Sequence, residues 1–346
     1  MPTLARHPLP LVATPLFAAH ALLASCGKAP APATTAGAAA PGAPLPKVRF
    51  QTDWYPQAEH GGHYQAVARG FYREAGIDVE ILPGGPNSAG PQKILSGLAE
   101  IAMGRSDEII VNASDGLPFI IVGALMQHDP QALLLHDENP VKSFADLNGR
   151  SVMAVPGSTW VTYLKARYKI DFNLIPLNYG LAQFMGNKGF IQQCFVTNEP
   201  FFVAQNGAKP RTLLLDDSGF KPYRVYFCSQ KYARENPAAV RAFVAASIRG
   251  WDDFIGGDSA PGKKLIAALN EQMTVAFMDY SIRAMTEAKL VGGDPAKGEE
   301  TGLITRKRLQ EQVDILVELK IIPAALPLAK YASFDFLPPA LRAKVD

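Results

Sequence analysis

Cysteine is scarce in this chain: three in 346 residues, at positions 26, 194 and 228. Histidine is nearly as rare, with six. Neither forms a cluster, so a metal site built on thiolates and imidazoles is disfavoured. An excess of one charge is also missing. The net charge is +2, with Lys and Arg scattered rather than striped, which gives no reason to expect nucleic acid as a partner. There is no Gly-x-Ser-x-Gly and no Ser-His-Asp signature. The glycine-rich run "LPGGPNSAGPQK" (82–93) lacks the Gly-Lys-Ser/Thr of a nucleotide loop. Its Gly84-Gly85 pair instead suits a positive-φ turn or a close backbone approach. The paired acids Asp216-Asp217 and Asp252-Asp253 sit in polar stretches that read as solvated.

What remains is ordinary for a soluble globular protein: 48% apolar and 19% charged residues, with length enough for two domains. The exception is the start. "MPTLARHPLPLVATPLFAAHALLASC" has a weakly basic opening at Arg6 and His7, an apolar run, then Leu23-Ala24-Ser25-Cys26. This is the layout of a secretory signal, too short and Pro-interrupted for a membrane span. Its ending resembles the bacterial lipobox, which makes residues 1–25 an expected lipoprotein signal peptide and Cys26 the acylated residue. Residues 27–46, rich in Ala and Pro, read with Cys26 as a solvated tether. The folded part is therefore expected outside the cytoplasm, lipid-anchored to the cell envelope. Cys194 and Cys228 lie in apolar, strand-like contexts and read as buried free thiols, with a disulfide as the alternative.

From Val48 onward, short β-rich runs alternate with helical ones. "VRFQTDW", "IDVEILPG", "IAMG" and "PFIIVGALM" read as strands. "HYQAVARGFYREAG", "PQKILSGLAEI" and "SDEIIVNASDG" read as the helices between them. The same grammar resumes after "QHDP" and runs to "RTLLLDD". After "YRVYFCS" the chain turns mainly helical. Alternation of this kind predicts an α/β fold with parallel sheets flanked by helices. Two units followed by a helical tail fit either sequential domains or an insertion. In the second case residues 47–128 and 226–346 form one lobe and 129–225 the other. Ligands in open α/β sheets bind beyond the carboxyl ends of the strands. Those ends carry "DWYP", "PGGPN", "MGRSD", "PGSTW" and "TNEP".

The stretch "DWYPQAEHGGHYQ" opens three readings. Glu59-His60-x-x-His63 lacks the spacing of the helical zinc motif, so no metal is expected. His60, at a helix start, is expected to be neutral. Trp54, Tyr55 and Tyr64 beside Asp53 and Glu59 could be core packing, or a stacking wall for a planar ligand with acids accepting its N–H groups. Gly157-Ser158-Thr159 could offer free backbone N–H groups to a polar ligand, or Ser158 could simply cap the helix.

"DWYPQAEHGGHYQAVARGFYREAGIDVEI", "GGPN", "MGRSD" and "TNEP" together resemble the solute-binding proteins of bacterial ABC importers. The branch is the one of sulfonate, nitrate, taurine and thiamine-pyrimidine-precursor binders, and the resemblance spans roughly 47–325. It implies a two-lobed type II periplasmic-binding fold that closes on its ligand like a trap. It also implies a small-molecule ligand, an ABC permease as partner, a monomer, and no cofactor. The expected ligand is a planar nitrogen heterocycle, first a pyrimidine precursor of thiamine, otherwise a flavin or a small sulfonate or nitrate-like anion. Ligand-site candidates are Asp53, Trp54, His60, Tyr64, Asn87, Arg105, Ser106, Asp107, Ser158, Thr159, Trp160, Asn198 and Glu199.

The same superfamily contains the fungal thiamine-pyrimidine synthase, with a pyridoxal-phosphate Lys, a His four residues on, and a Cys-rich run. Here Arg105 and Ile109 stand at the Lys and His places, and no Cys lies near Asp217–Tyr223. A guanidinium forms no Schiff base, so catalysis is not expected.

Overall fold

The computed structural model describes residues 44–86 and 88–346, so Cys26, the tether to Ala43, and Asn87 lie outside the described residues. Among the described residues, ten strands form two five-stranded sheets. The first contains β1 (Lys47–Gln51), β2 (Asp78–Leu82), β3 (Ile101–Arg105), β4 (Phe119–Met126) and β10 (Arg224–Ser229), in the order β2-β1-β3-β10-β4. The second contains β5 (Gln131–His136), β6 (Ser151–Ala154), β7 (Asn173–Pro176), β8 (Gln192–Phe195) and β9 (Pro210–Leu214), in the order β7-β6-β8-β5-β9.

The sheets are mixed, not parallel as the alternation predicts. β10 runs antiparallel to β3 and β4, and β5 runs antiparallel to β8 and β9. The reason lies in how the chain passes between sheets. β4 ends at Met126, four residues intervene, and β5 begins at Gln131 beside the carboxyl end of β8, with Gln131 opposite Phe195. β10 comes back the other way, with Arg224 opposite Arg105 at the end of β3. A strand that enters a sheet from the side where its neighbours leave must run against them. The carboxyl ends of β1, β3, β4, β6 and β8 therefore converge on one seam.

β5 shows why its apolar run is continuous. Leu133 and Leu135 pack into one cluster with Trp160 and Leu164, while Ala132 and Leu134 pack into another with Phe184 and Val203. Side chains alternate faces along a strand, and both faces of this one are covered. Cys194 and Cys228 are free and buried, one in each sheet. No helix among the described residues is long and apolar enough to cross a membrane.

The expected helix over 63–76 is two helices, Gly61–Ala68 and Phe71–Glu74, broken by Gly70 at φ 76°. The first lies against the helix Pro237–Gly256 so closely that a Cβ on Gly250 would stand 2.1 Å from the Gly62 carbonyl oxygen. A Cβ on Gly62 would stand 2.3 Å from the Trp251 ring. The Gly-Gly pair between the two histidines thus serves helix–helix contact.

Candidate functional site

A cavity of about 350 Å3 opens where the strand ends meet. Its volume falls at the lower end of the range for small-molecule sites. Asp53 and Trp54, at the exit of β1, form one wall. Gln193, Phe195, Asn198 and Glu199, from β8 and the turn after it, form the opposite wall. Met273, Phe277 and Tyr179, the last just past β7, also line it. A second cavity of about 430 Å3 lies beside the chain crossings near Gln127 and Tyr223. None of the sequence candidates lines it.

Trp54 is half-buried and its ring lies 5.2 Å from that of Tyr179, tilted by 34°. Tyr55 meets Trp54 edge-on at 5.6 Å. An aromatic pair drawn from the exits of both sheets thus meets at the cavity. Tyr179 is more than half exposed and holds a left-handed backbone, φ 61°. The exits of β1 and β2 are pressed together, since a Cβ on Gly84 would stand 2.4 Å from the Thr52 carbonyl oxygen. Gly84 is not at positive φ, so close approach is the property in use.

From Asp53, at the pocket wall, a line of charges runs inward to buried partners. Asp53 accepts from Arg224 through Oδ2, and its Oδ1 lies 3.0 Å from Nε2 of His60. A carboxylate only accepts, so Nε2 carries the hydrogen. Burial acts to raise the Asp53 pKa, but the Arg224 charge and the His60 hydrogen bond outweigh it and hold the carboxyl well below its usual range. Arg105 donates to Asp107 (3.2 Å) and to Gln131, and lies 3.6 Å from Asp129. Arg224 also faces Asp129, at 3.9 Å.

Two further carboxyls have no cation within 4 Å among the described residues. Glu199 accepts from the Phe195 backbone N–H at 2.8 Å, and burial raises its pKa. Glu59, buried in the 3₁₀ turn Ala58–His60, accepts from the Thr197 hydroxyl across the seam. Burial, with smaller contributions from the charges of Glu199 and Asp53, pushes Glu59 up to about 7. The same seam is held by Tyr280 and Ser281, whose hydroxyls donate to the carbonyls of Val196 (2.9 Å) and Thr197 (2.8 Å).

The structure brings together Asp53, Trp54, Asn198 and Glu199 as lining residues, with His60 and Arg105–Asp107 behind or below them. It separates others. Trp160 is fully buried in the core of the second sheet, because the helix Thr159–Tyr168 turns the face carrying Trp160 and Leu164 onto Leu133 and Leu135. Tyr64 is buried in the core of the first sheet. The Ser106 hydroxyl donates to Gln312 and accepts from the Tyr223 backbone, a structural tie. Ser158 occupies the N-cap position, yet its hydroxyl donates to the Val155 carbonyl, and neither it nor Thr159 lines the pocket. His63 packs in an aromatic core, 4.5 Å from the Phe50 ring, and burial holds its pKa well below the ordinary value. The two histidines thus point to different surroundings. Asp216 is not solvated as expected; it is buried 3.0 Å from Nδ1 of His128. Among the residues that sequence reasoning missed, Tyr179 had one signal, the Asn178-Tyr179-Gly180 turn at a strand exit. Phe202 and Phe277 had none, being apolar residues in helices.

Two mixed five-stranded sheets with a cleft at their strand ends make this an α/β protein with the periplasmic-binding-protein fold. It superposes on the periplasmic aliphatic sulphonate binding protein SsuA from Escherichia coli with a TM-score of 0.61 at 15% identity, covering 82% of this chain and 91% of that one. Residues 57–257 match the model of the family described as NMT1/THI5 like, and the chain belongs to that family. It is 27% identical over 253 residues to the riboflavin-binding protein RibY of Chloroflexus aurantiacus, covering 68% of this chain and 71% of that protein. It is 24% identical over 220 residues to the formylaminopyrimidine-binding protein of Halalkalibacterium halodurans, covering 60% and 66%. It is also 22% identical over 232 residues to the 4-amino-5-hydroxymethyl-2-methylpyrimidine phosphate synthase THI11 of Saccharomyces cerevisiae, covering 61% and 68%.

Proposed function

We propose that this chain is the lipid-anchored solute-binding component of an ABC importer, and that it captures a small planar nitrogen heterocycle without transforming it. The observation that carries the reading is the pocket wall. Rings from both sheets flank it, and Asp53 and Glu199 offer acceptors to ring N–H groups. A pyrimidine precursor of thiamine is the first choice, in keeping with the formylaminopyrimidine-binding relative. A flavin is the second, favoured by the riboflavin-binding relative. A sulfonate or nitrate fits poorly, since among the described residues no Lys, Arg or His lines the cavity.

A synthase role is disfavoured because Arg105 stands where the amine would be and is committed to Asp107 and Gln131. Residues 47–128 with 226–346, and 129–225, would be the two lobes of a closing trap, a division supported by the membership of the two sheets. The Leu-Ala-Ser-Cys ending supports Cys26 as a lipid anchor to the cell envelope, with the folded part on the extracytoplasmic side.

Native mass spectrometry of the protein purified from its own host tests the reading. A bound ring-nitrogen compound, released intact on denaturation, is the expected result. A bound sulfonate, or a covalent pyridoxal adduct, would contradict it.

A further inference from the structure

We propose that the pocket selects for positive charge: it takes the cationic form of a flat nitrogen heterocycle in preference to a neutral ring of the same shape. The inference rests on the pocket assignment above and adds the charge of the ligand.

Four observations carry it. The charged side chains that line the cavity are Asp53 and Glu199, both carboxylates. Glu199 has one hydrogen bond, from a backbone N–H, and no cation partner among the described residues. Glu59, buried and within reach of the Glu199 charge, has the Thr197 hydroxyl and its own backbone as hydrogen-bond partners and no cation among the described residues. The guanidiniums nearest the pocket are already spent, since Arg105 and Arg224 face three carboxylates, Asp53, Asp107 and Asp129. The site as built is therefore short of positive charge.

Burial raises both Glu59 and Glu199 above the ordinary range, as expected for carboxyls that lack a counter-charge. The walls add to this. Trp54, Tyr179, Phe195, Phe202 and Phe277 line the same cavity. Aromatic faces carry negative potential and attract cations held over them, most strongly where water is excluded. A neutral ring could stack there, but it would leave Glu199 and Glu59 uncompensated. An anion would be repelled outright.

The test uses two probes of nearly equal shape, quinoline and 1-methylquinolinium, titrated calorimetrically into the full chain at pH 7.5. The cation is expected to bind at least about tenfold more tightly, the scale of one charge-assisted contact. Glu199→Gln keeps an acceptor for the Phe195 N–H and removes the charge, so it should cut the preference severalfold, weakening the cation more than quinoline. Glu59→Gln should cut it less. Circular dichroism checks that both variants are folded. Equal affinities for the two probes, or a preference that survives in both variants, would overturn the charge selection and leave the stacking site standing. If Trp54→Ala leaves both affinities untouched, the pocket assignment itself falls and this inference with it.

Discussion

Glu59 provides a stability prediction that can be worked from the structure. It is 4% exposed, and its carboxyl is pushed from 4.5 up to about 7. The main cause is burial, opposed by the Thr197 hydrogen bond and its own backbone, and reinforced by Glu199 and Asp53. The folded state therefore holds this proton more tightly than the unfolded chain does. Its contribution is fully present below about pH 4.5, is lost as pH rises toward 7, and is flat beyond. At 1.36 kcal/mol per pH unit, the gap between 4.5 and about 7 amounts to about 3 kcal/mol. Glu59→Gln preserves an acceptor for Thr197 and abolishes the titration. In urea unfolding, the variant should match wild type at pH 4.5 and exceed it at pH 8 by up to about 3 kcal/mol. Titrating groups that do not interact with Glu59 are shared by the two proteins and cancel in the difference. A difference that does not change with pH, or a variant less stable than wild type at pH 8, would refute the account of a buried carboxyl without a counter-charge.

Gly250→Ala would set a Cβ 2.1 Å from the Gly62 carbonyl, and the helices must separate. It should cost about 1–3 kcal/mol in urea unfolding, the usual scale of overpacking; an unchanged midpoint would mean the contact is looser than described. Small-angle scattering should show compaction when the host ligand is added, because ligand favours closure only by binding the closed form better. An identical curve under conditions where calorimetry shows binding would rule out the trap. Cys26→Ala should release the protein from the membrane fraction or leave it uncleaved, and a wild-type protein that fractionates as freely soluble with residues 1–25 attached would remove the anchor.

The α/β class and most elements were legible because strand and helix periods are local properties. "QALLLH" and "YRVYFCS" stood out as strands, yet nothing local in them tells that they run against their neighbours. Direction was set by the route of the chain between sheets. Asp53, Trp54, Asn198 and Glu199 were found because they follow strands, and strand exits converge. Trp160 and Tyr64 were misplaced for a related reason. An aromatic at a helix start near a strand exit looks the same whether its helix turns it to the cleft or to the core, and only packing against Leu133 or Phe50's cluster decides. Glu59 read as a neighbour of the aromatic group, but its partner Thr197 is 138 residues away. Phe202 and Phe277 came from helices whose approach no short-range pattern encodes.

The central claim is that Trp54 and Glu199 hold a ligand rather than the fold. Calorimetry of the host ligand against wild type, Trp54→Ala and Glu199→Gln, with melting curves of the apo proteins alongside, tests it most directly. Trp54 is half-buried and packs on the rings of Tyr55 and Tyr179, so the account predicts near-normal melting for Trp54→Ala. Lost stacking should weaken its binding by roughly tenfold. Loss of a charge-assisted hydrogen bond in Glu199→Gln should weaken it by about tenfold to a hundredfold. Wild-type affinity in both variants, or a collapse of apo stability in Trp54→Ala with affinity intact, would contradict the account.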